Sequence, residues 1–225
     1  MSANAISSST TTILFDHDGT LIDSEKVHFC LWKEILASYD VHLSESFFNS
    51  VMAGIPVYQN ARDIVKHFSI DEDAEVIAQA KHDKVEAFLH QQPFPLMPYA
   101  KETVKACFDA GYRVGIVTGG SKLSVEKTLQ GYGLSSYIST VVAVEDVKVS
   151  KPDPESYILA MQHLDVKPDE CVAVEDTHHG LQSAVQAGIK CVVIPTAQTA
   201  KHDFSRACVR YASLQKWTEN EVLSH

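Results

Sequence analysis

The apolar run Ile13-Leu14-Phe15 stops abruptly at Asp16-His17-Asp18-Gly19-Thr20, and no other stretch restricts the fold of this chain as strongly. The run reads as a buried strand with two acids at its mouth. Side chains alternate along an extended segment, so Asp16 and Asp18 start on the same side and His17 points away from them. Gly19 lets the backbone turn sharply. Two carboxylates held together repel unless a cation or a shared proton task offsets the cost. The pentapeptide is therefore either an Asp-rich turn that ends a strand or part of a site.

The second half of the chain repeats this pattern. A helix beginning at Pro98, with Val104 and Phe108 as its apolar stripe, ends at Gly111. A strand over Val114 to Val117 runs into Thr118-Gly119-Gly120, and a helix from about Leu123 to Gly131 leads to an apolar run over Thr140 to Val144. After a loop holding Lys151-Pro152, Pro154 opens a helix with Tyr157, Ile158, Met161 and Leu164 on one face. Cys171 to Val174 is the next strand, stopping at Glu175-Asp176, and a helix from about Gly180 to Ala187 precedes a strand over Cys191 to Ile194. Strands alternating with helices predict an α/β fold built from parallel crossover units.

Residues 24 to 95 break the alternation, because their periodicity is helical throughout. Ser24 stands as an N-cap before Val27, Leu31, Ile35 and Leu36; Ile64, Val65 and Phe68 form a second stripe, and Val76, Val85, Phe88 and Leu89 a third. Pro93, Pro95 and Pro98 then interrupt the pattern as a hinge does. The predicted organisation is a core of residues 12–23 and 96–225, with residues 24–95 inserted as an all-helical domain.

Bulk properties narrow the function. A chain of 225 residues buries enough surface to need no staples, and a formal net charge of -10 argues against general affinity for nucleic acid or anionic membrane. The five cysteines are odd in number and scattered through apolar runs, so a reducing cytoplasmic setting is expected rather than a disulfide framework. Met1 to Thr12 is Ser/Thr-rich, lacks the features of a secretory signal and is expected to be a disordered tail. No apolar run is long enough to span a bilayer.

Ligands of open parallel sheets bind beyond the carboxyl ends of the strands. Asp16 with Asp18, Thr118, Lys151, and Glu175 with Asp176 each follow a different strand, so one rim gathers acid, hydroxyl and ammonium. Singly, Thr118 reads as a turn former, Lys151 as a surface lysine and Glu175-Asp176 as a helix-start acidic pair. Together they are complementary and in register with the strands. An anionic ligand beside these acids would cost about 4 kcal/mol per like-charge pair at an effective dielectric of 20 and about 4 Å. A divalent cation is needed, and an oxygen-only donor set suits Mg²⁺.

The ordered set Asp16-His17-Asp18-Gly19-Thr20, Thr118, Lys151-Pro152 and Glu175-Asp176 resembles the haloacid dehalogenase superfamily, specifically its beta-phosphoglucomutase-like phosphatase branch, from Ile13 to about Ile194. The resemblance implies a Rossmann-like parallel sheet core with an inserted all-helical cap domain, and a phosphatase acting on a small phosphorylated substrate. It implies Asp16 as nucleophile, giving an aspartyl-phosphate, and Asp18 as the acid that protonates the leaving alkoxide and then takes a proton from water. It further implies Asp16, the Asp18 backbone carbonyl and Asp176 as Mg²⁺ ligands, with Glu175 direct or through water. Lys151 would bridge phosphate and Asp16, and Thr118 with nearby backbone amides, Gly119 among them, would hold the non-reacting oxygens.

Substrate contacts are expected at Asp23, His28 and Gly54, although Asp23 and His28 read equally as a helix cap and an exposed histidine. Where mutases of this type carry a lysine before the cap glycine and a serine-arginine after it, this chain has Ala53, Pro56 and Val57. A clamp for a second phosphate is missing, which favours a phosphatase over a hexose-phosphate mutase; Lys81 or Lys84 remains as a compensating cation. A receiver-type signalling domain gathers similar residues, but with the acid pair first and the acceptor later in the chain. A dehalogenase is disfavoured by the proton-shuttling Asp18. His17 stands where the family is usually apolar and is read as a packed histidine, and His178-His179 as a solvated loop. The site is complete within one chain, and a monomer is expected.

Overall fold

In the computed structural model, which describes residues 4–224, the chain divides into two compact units: Met1–Asp23 with Pro95–His225, and Ser24–Phe94. The first unit is built on a six-stranded, all-parallel sheet. Its strands are β1 (Thr12–Phe15), β2 (Arg113–Val117), β3 (Ile138–Val142), β4 (Cys171–Glu175), β5 (Lys190–Val193) and β6 (Val209–Arg210), in the spatial order β3-β2-β1-β4-β5-β6. β1 lies between β2 and β4, where the winding reverses, and this switch point is where ligands of doubly wound sheets bind.

Strand alternation sorts the core into two layers. Ile13, Phe15, Val114, Ile116, Val172 and Val174 face one way, packing with Ala100, Val104 and Cys107 of one helix and with Trp217. Leu14, Val117, Cys171 and Ala173 face the other way, against Tyr157, Ala160, Met161 and Leu181. Strands covered on both faces read as unbroken apolar runs. Each fully buried Val, Leu, Ile or Phe contributes about 1.5–3 kcal/mol.

The second unit is all-helical: α1 (Glu25–Ala37), α2 (Glu45–Phe47) running into a π turn at Phe48–Met52, α3 (Val57–Phe68) and α4 (Ala74–Gln91). They bury one cluster around Trp32, Leu36, Phe48, Ile64 and Ile77. Back in the first unit follow α5 (Ala100–Asp109), α6 (Lys122–Tyr132), α7 (Glu155–Leu164), α8 (His178–Gln186) and α9 (Leu214–Trp217). No helix among the described residues is long and apolar enough to cross a membrane.

Several local expectations need correction. α5 starts at Ala100, after Tyr99 in the left-handed region, rather than at Pro98, and Phe108 is exposed, since the buried stripe runs through Thr103, Val104 and Cys107. Ile158 and Val76 are exposed for the same reason, the true stripes running through Tyr157, Ala160 and Met161, and through Ile77, Ala78, Lys81 and Leu89. An apolar residue three or four positions from a buried one sits at the edge of the stripe, where packing decides. β3 lies two residues earlier than the run over Thr140 to Val144, because Asp146 Oδ2 accepts the Ala143 amide and turns the chain out of the sheet. Ser24 has helical backbone angles and its side chain makes no capping bond. β6 escaped notice because two residues carry no periodicity.

The amino-terminal segment is not a loose tail. Ala5 and Ile6 are buried, and both backbone amides donate to Glu221 Oε2 at 2.9 Å, while Tyr211 donates its hydroxyl to Glu221 Oε1 at 2.9 Å. The partner lies more than 200 residues away in sequence, so Ser/Thr-rich composition hid it. Met1 to Ala3 fall outside the described residues.

Candidate active site

β1 delivers Asp16 on the face shared with α7 and α8, because Leu14, two residues earlier, packs there. His17 takes the opposite face, fully buried, with Nε2 3.2 Å from Thr128 Oγ1 of α6. It is packed, as its place in the strand predicts, yet it is not remote from the acids: Nδ1 lies 3.7 Å from Asp18 Oδ2.

Lys151 is the hub. Its Nζ donates to Asp16 Oδ1 at 2.7 Å, Glu175 Oε1 at 2.6 Å and the Val117 carbonyl at 2.7 Å, using all three ammonium donors. The ends of β1, β2 and β4 are thereby joined by one cation. Burial works to lower the Lys151 pKa, but Asp16 and Glu175 at contact outweigh it and hold the ammonium above the ordinary lysine range. Burial likewise raises Asp16, against the pull of Lys151, and pushes Glu175 up to about 7, against the same pull and aided by Asp16.

Tyr157 is the residue that sequence reasoning missed. Its ring lies beneath Lys151, with Nζ 5.1 Å from the centroid, and its hydroxyl donates to Glu175 Oε1 at 2.6 Å. The periodicity of α7 placed Tyr157 correctly on the buried face; a buried tyrosine needs a partner for its hydroxyl, and that was the available signal.

Asp16, Glu175 and Asp176 bring one oxygen each within 4.8 Å of one another. Glu175 Oε2 and Asp176 Oδ1 are buried with no hydrogen-bond partner. Burial, then the neighbouring Asp16 and Glu175, hold Asp176 well above the usual carboxylate range. Three carboxylates face one ammonium, so this hard, oxygen-only donor set fits a divalent cation. Glycines permit the crowding: a Cβ on Gly19, which has a φ of +81°, would collide with Asp176 Oδ2, and one on Gly180 would overlap the Glu175 carboxylate.

Thr118 follows β2 and is buried, its Oγ1 accepting the Gly120 amide at 2.8 Å and donating to Asp18 Oδ2 at 3.4 Å. Asp18, Asp16, Thr118, Lys151, Glu175 and Asp176 thus converge as the strand ends predicted, with Gly119 exposed in the adjoining turn. His178 and His179 open α8 rather than lying in a loop; His178 Nδ1 is 2.6 Å from the Asp203 carbonyl. Asp23 donates its amide to the Pro95 carbonyl at 2.8 Å.

His28 and Gly54 belong to the helical unit. His28 is half-buried against Phe94, ring centroids 5.3 Å apart, and its Nδ1 lies 2.9 Å from Lys81 Nζ, so it is no exposed histidine. Gly54 has a φ of +73° in an exposed turn after the π turn. Neither candidate cation of this unit is spare: Lys84 pairs with Glu34 at 2.8 Å, and Lys81 is buried, 5.7 Å from the Trp32 ring centroid. Burial lowers the Lys81 pKa to about 7, against Glu25, which works to raise it. Between about pH 7 and the ordinary lysine value the unfolded chain binds the extra proton, so this group makes stability rise with pH in that window. Lys81→Met is expected to remove that part of the slope, as read from denaturant midpoints at pH 7 and pH 10.

This arrangement agrees with a match of residues 13–194 to the family model for haloacid dehalogenase-like hydrolases. The chain belongs to that family. It is a phosphoric monoester hydrolase, and its named relatives include phosphatases. Fructose-1-phosphate phosphatase YqaB of Escherichia coli is 30% identical over 182 residues, spanning 80% of this chain and 94% of that protein. CbbY from Rhodobacter sphaeroides, solved in complex with phosphate, superposes with a TM-score of 0.78 at 27% identity over 91% of this chain and 95% of that one. Beta-phosphoglucomutase from Clostridium difficile shares the fold, with a TM-score of 0.73 at 18% identity and 92% of both chains covered.

Proposed function

We propose that this hydrolase removes phosphate from a small sugar phosphate, with Mg²⁺ and through an aspartyl-phosphate on Asp16. The observation that carries the reading is the three-way grip of Lys151 beside two buried carboxylate oxygens that have no partner. Asp16, the Asp18 backbone carbonyl, Asp176 and Glu175 would hold Mg²⁺, whose charge lets a phosphate dianion approach these acids. Lys151 fixes the Asp16 carboxylate through Oδ1. The other Asp16 oxygen attacks phosphorus, the bond to the leaving oxygen breaks, and Asp18 gives that oxygen its proton. Water then attacks the aspartyl-phosphate, Asp18 takes its proton, and Asp16 is regenerated. The Gly119 amide holds a non-reacting oxygen, the Thr118 hydroxyl beside it donates to Asp18, and Tyr157 keeps Glu175 in place.

The helical unit is read as the cap domain, and Asp23, His28 and Gly54 as candidate substrate contacts. Its turn at Ala53, Gly54, Ile55, Pro56 and Val57 carries no cation, and Lys81 and Lys84 are engaged elsewhere. This favours phosphatase over mutase. A receiver domain has the strand order 2-1-3-4-5, which this sheet lacks.

The test is a panel of phosphorylated sugars assayed with Mg²⁺ and with EDTA. Phosphate release is expected to need the ion, and glucose 1-phosphate with a bisphosphate primer is expected to give free phosphate faster than isomerised sugar phosphate. Isomerisation outrunning release would establish the mutase instead.

A further inference from the structure

Gly120 lies in the turn between β2 and α6, and its backbone is not left-handed, so turn geometry does not demand a glycine there. The space beside it does. A Cβ at this position would stand 2.6 Å from Asp18 Oδ2 and 3.2 Å from Thr118 Oγ1, whereas one on neighbouring Gly119 would meet nothing within 4 Å. The Gly120 carbonyl accepts the Val144 amide at 3.1 Å, which ties the turn to the end of β3. Its amide donates to Thr118 Oγ1 at 2.8 Å. A hydroxyl that accepts there has its single proton left to give elsewhere, and Asp18 Oδ2 lies 3.4 Å away to receive it.

We propose that Gly120 is a positioning residue for proton transfer: its missing side chain leaves the place the Asp18 carboxylate occupies, and its amide aims the Thr118 hydroxyl at that carboxylate. The inference rests on the reading of Asp18 as the general acid. The colliding atom is the mobile end of a side chain, so Gly120→Ala folds and the Asp18 carboxylate moves instead. A displaced acid fails selectively. A sugar phosphate leaves as an alkoxide that needs a proton, while p-nitrophenyl phosphate leaves as a stable anion that does not. The kcat/KM value reports substrate binding and phosphoryl transfer to Asp16 but not the later hydrolysis, so the two substrates separate the acid's contribution from general damage.

For Gly120→Ala, kcat/KM is expected to fall about 10- to 100-fold for the sugar phosphate, a partial loss of the roughly 100- to 10,000-fold a general acid supplies, and less than about 3-fold for p-nitrophenyl phosphate. Asp18→Asn is expected to show the same selectivity more strongly, and the double variant to be no worse than Asp18→Asn alone, as for residues acting as a unit. Any loss of melting temperature in Gly120→Ala is expected to shrink in an Asp18→Ala background, where the closer of the two crowded atoms is gone. Equal losses on both substrates, or a melting deficit undiminished without the Asp18 side chain, would overturn the role of Gly120 while selectivity in Asp18→Asn left the acid assignment standing. An Asp18→Asn variant without selectivity would overturn the acid assignment, and this inference with it.

Discussion

Asp16→Asn is expected to abolish turnover of a sugar phosphate, lowering kcat by more than about a thousandfold, the order of loss seen when a nucleophile is removed from a cooperating site. The amide oxygen can still accept from Lys151 Nζ, which now lies 2.7 Å from Asp16 Oδ1, so the scaffold keeps its hub. Removing one of three clustered carboxylates also relieves repulsion, and the melting temperature is expected to stay level or rise. The decisive measurement is a rapid acid quench with labelled substrate: the native enzyme is expected to carry label on the protein during turnover and Asp16→Asn is not. Full turnover in the variant at saturating substrate would end the covalent mechanism.

Lys151→Met is expected to have the second-largest effect, because it strips the shared cation from Asp16 and Glu175, which it now contacts at 2.7 and 2.6 Å. Breaking a buried ion pair on one side leaves uncompensated charge, typically about 3–5 kcal/mol, and here two carboxylates lose their partner at once. The loss has a predictable pH dependence. Glu175 already titrates up to about 7 in the presence of Lys151, burial being the main cause, and without Lys151 it is held higher still. Native carboxylates then keep protons that unfolded ones release, so the folded state binds more protons and stability falls as pH rises. The deficit relative to native enzyme is expected to be larger at pH 8 than at pH 6, measured by denaturant unfolding without added metal, and activity is expected to fall about a thousandfold. A deficit that shrinks toward pH 8 would show that Lys151 does not hold these acids ionised.

The make-up of the candidate site was legible in sequence because its groups lie at strand ends. A parallel strand covered on both faces must be apolar along its length, so the first polar residue after Phe15, Val117 or Val174 marks the rim where ligands bind. Asp16, Thr118, Glu175 and Asp176 were found in this way, and Lys151 through the loop that follows the next strand. The fold class followed from the same alternation, and the helical insertion from its interruption. Stripe edges were misread at Phe108, Ile158 and Val76, since periodicity gives the direction of a buried face but not its width.

The sequence by itself determined which groups reach the rim: acids, a hydroxyl and an ammonium, each fixed by its place after a strand. Only the tertiary structure decided which atoms meet. It set Lys151 between Asp16 and Glu175, put the Tyr157 hydroxyl on Glu175, turned Thr118 toward Asp18, closed Lys81 against His28, and fastened Ala5 and Ile6 to Glu221. These bonds join residues up to 216 positions apart, and a hydrogen bond is satisfied within a few tenths of an ångström. Local pattern constrains direction along an element, whereas that precision arises only when the packed layers fix the elements against one another.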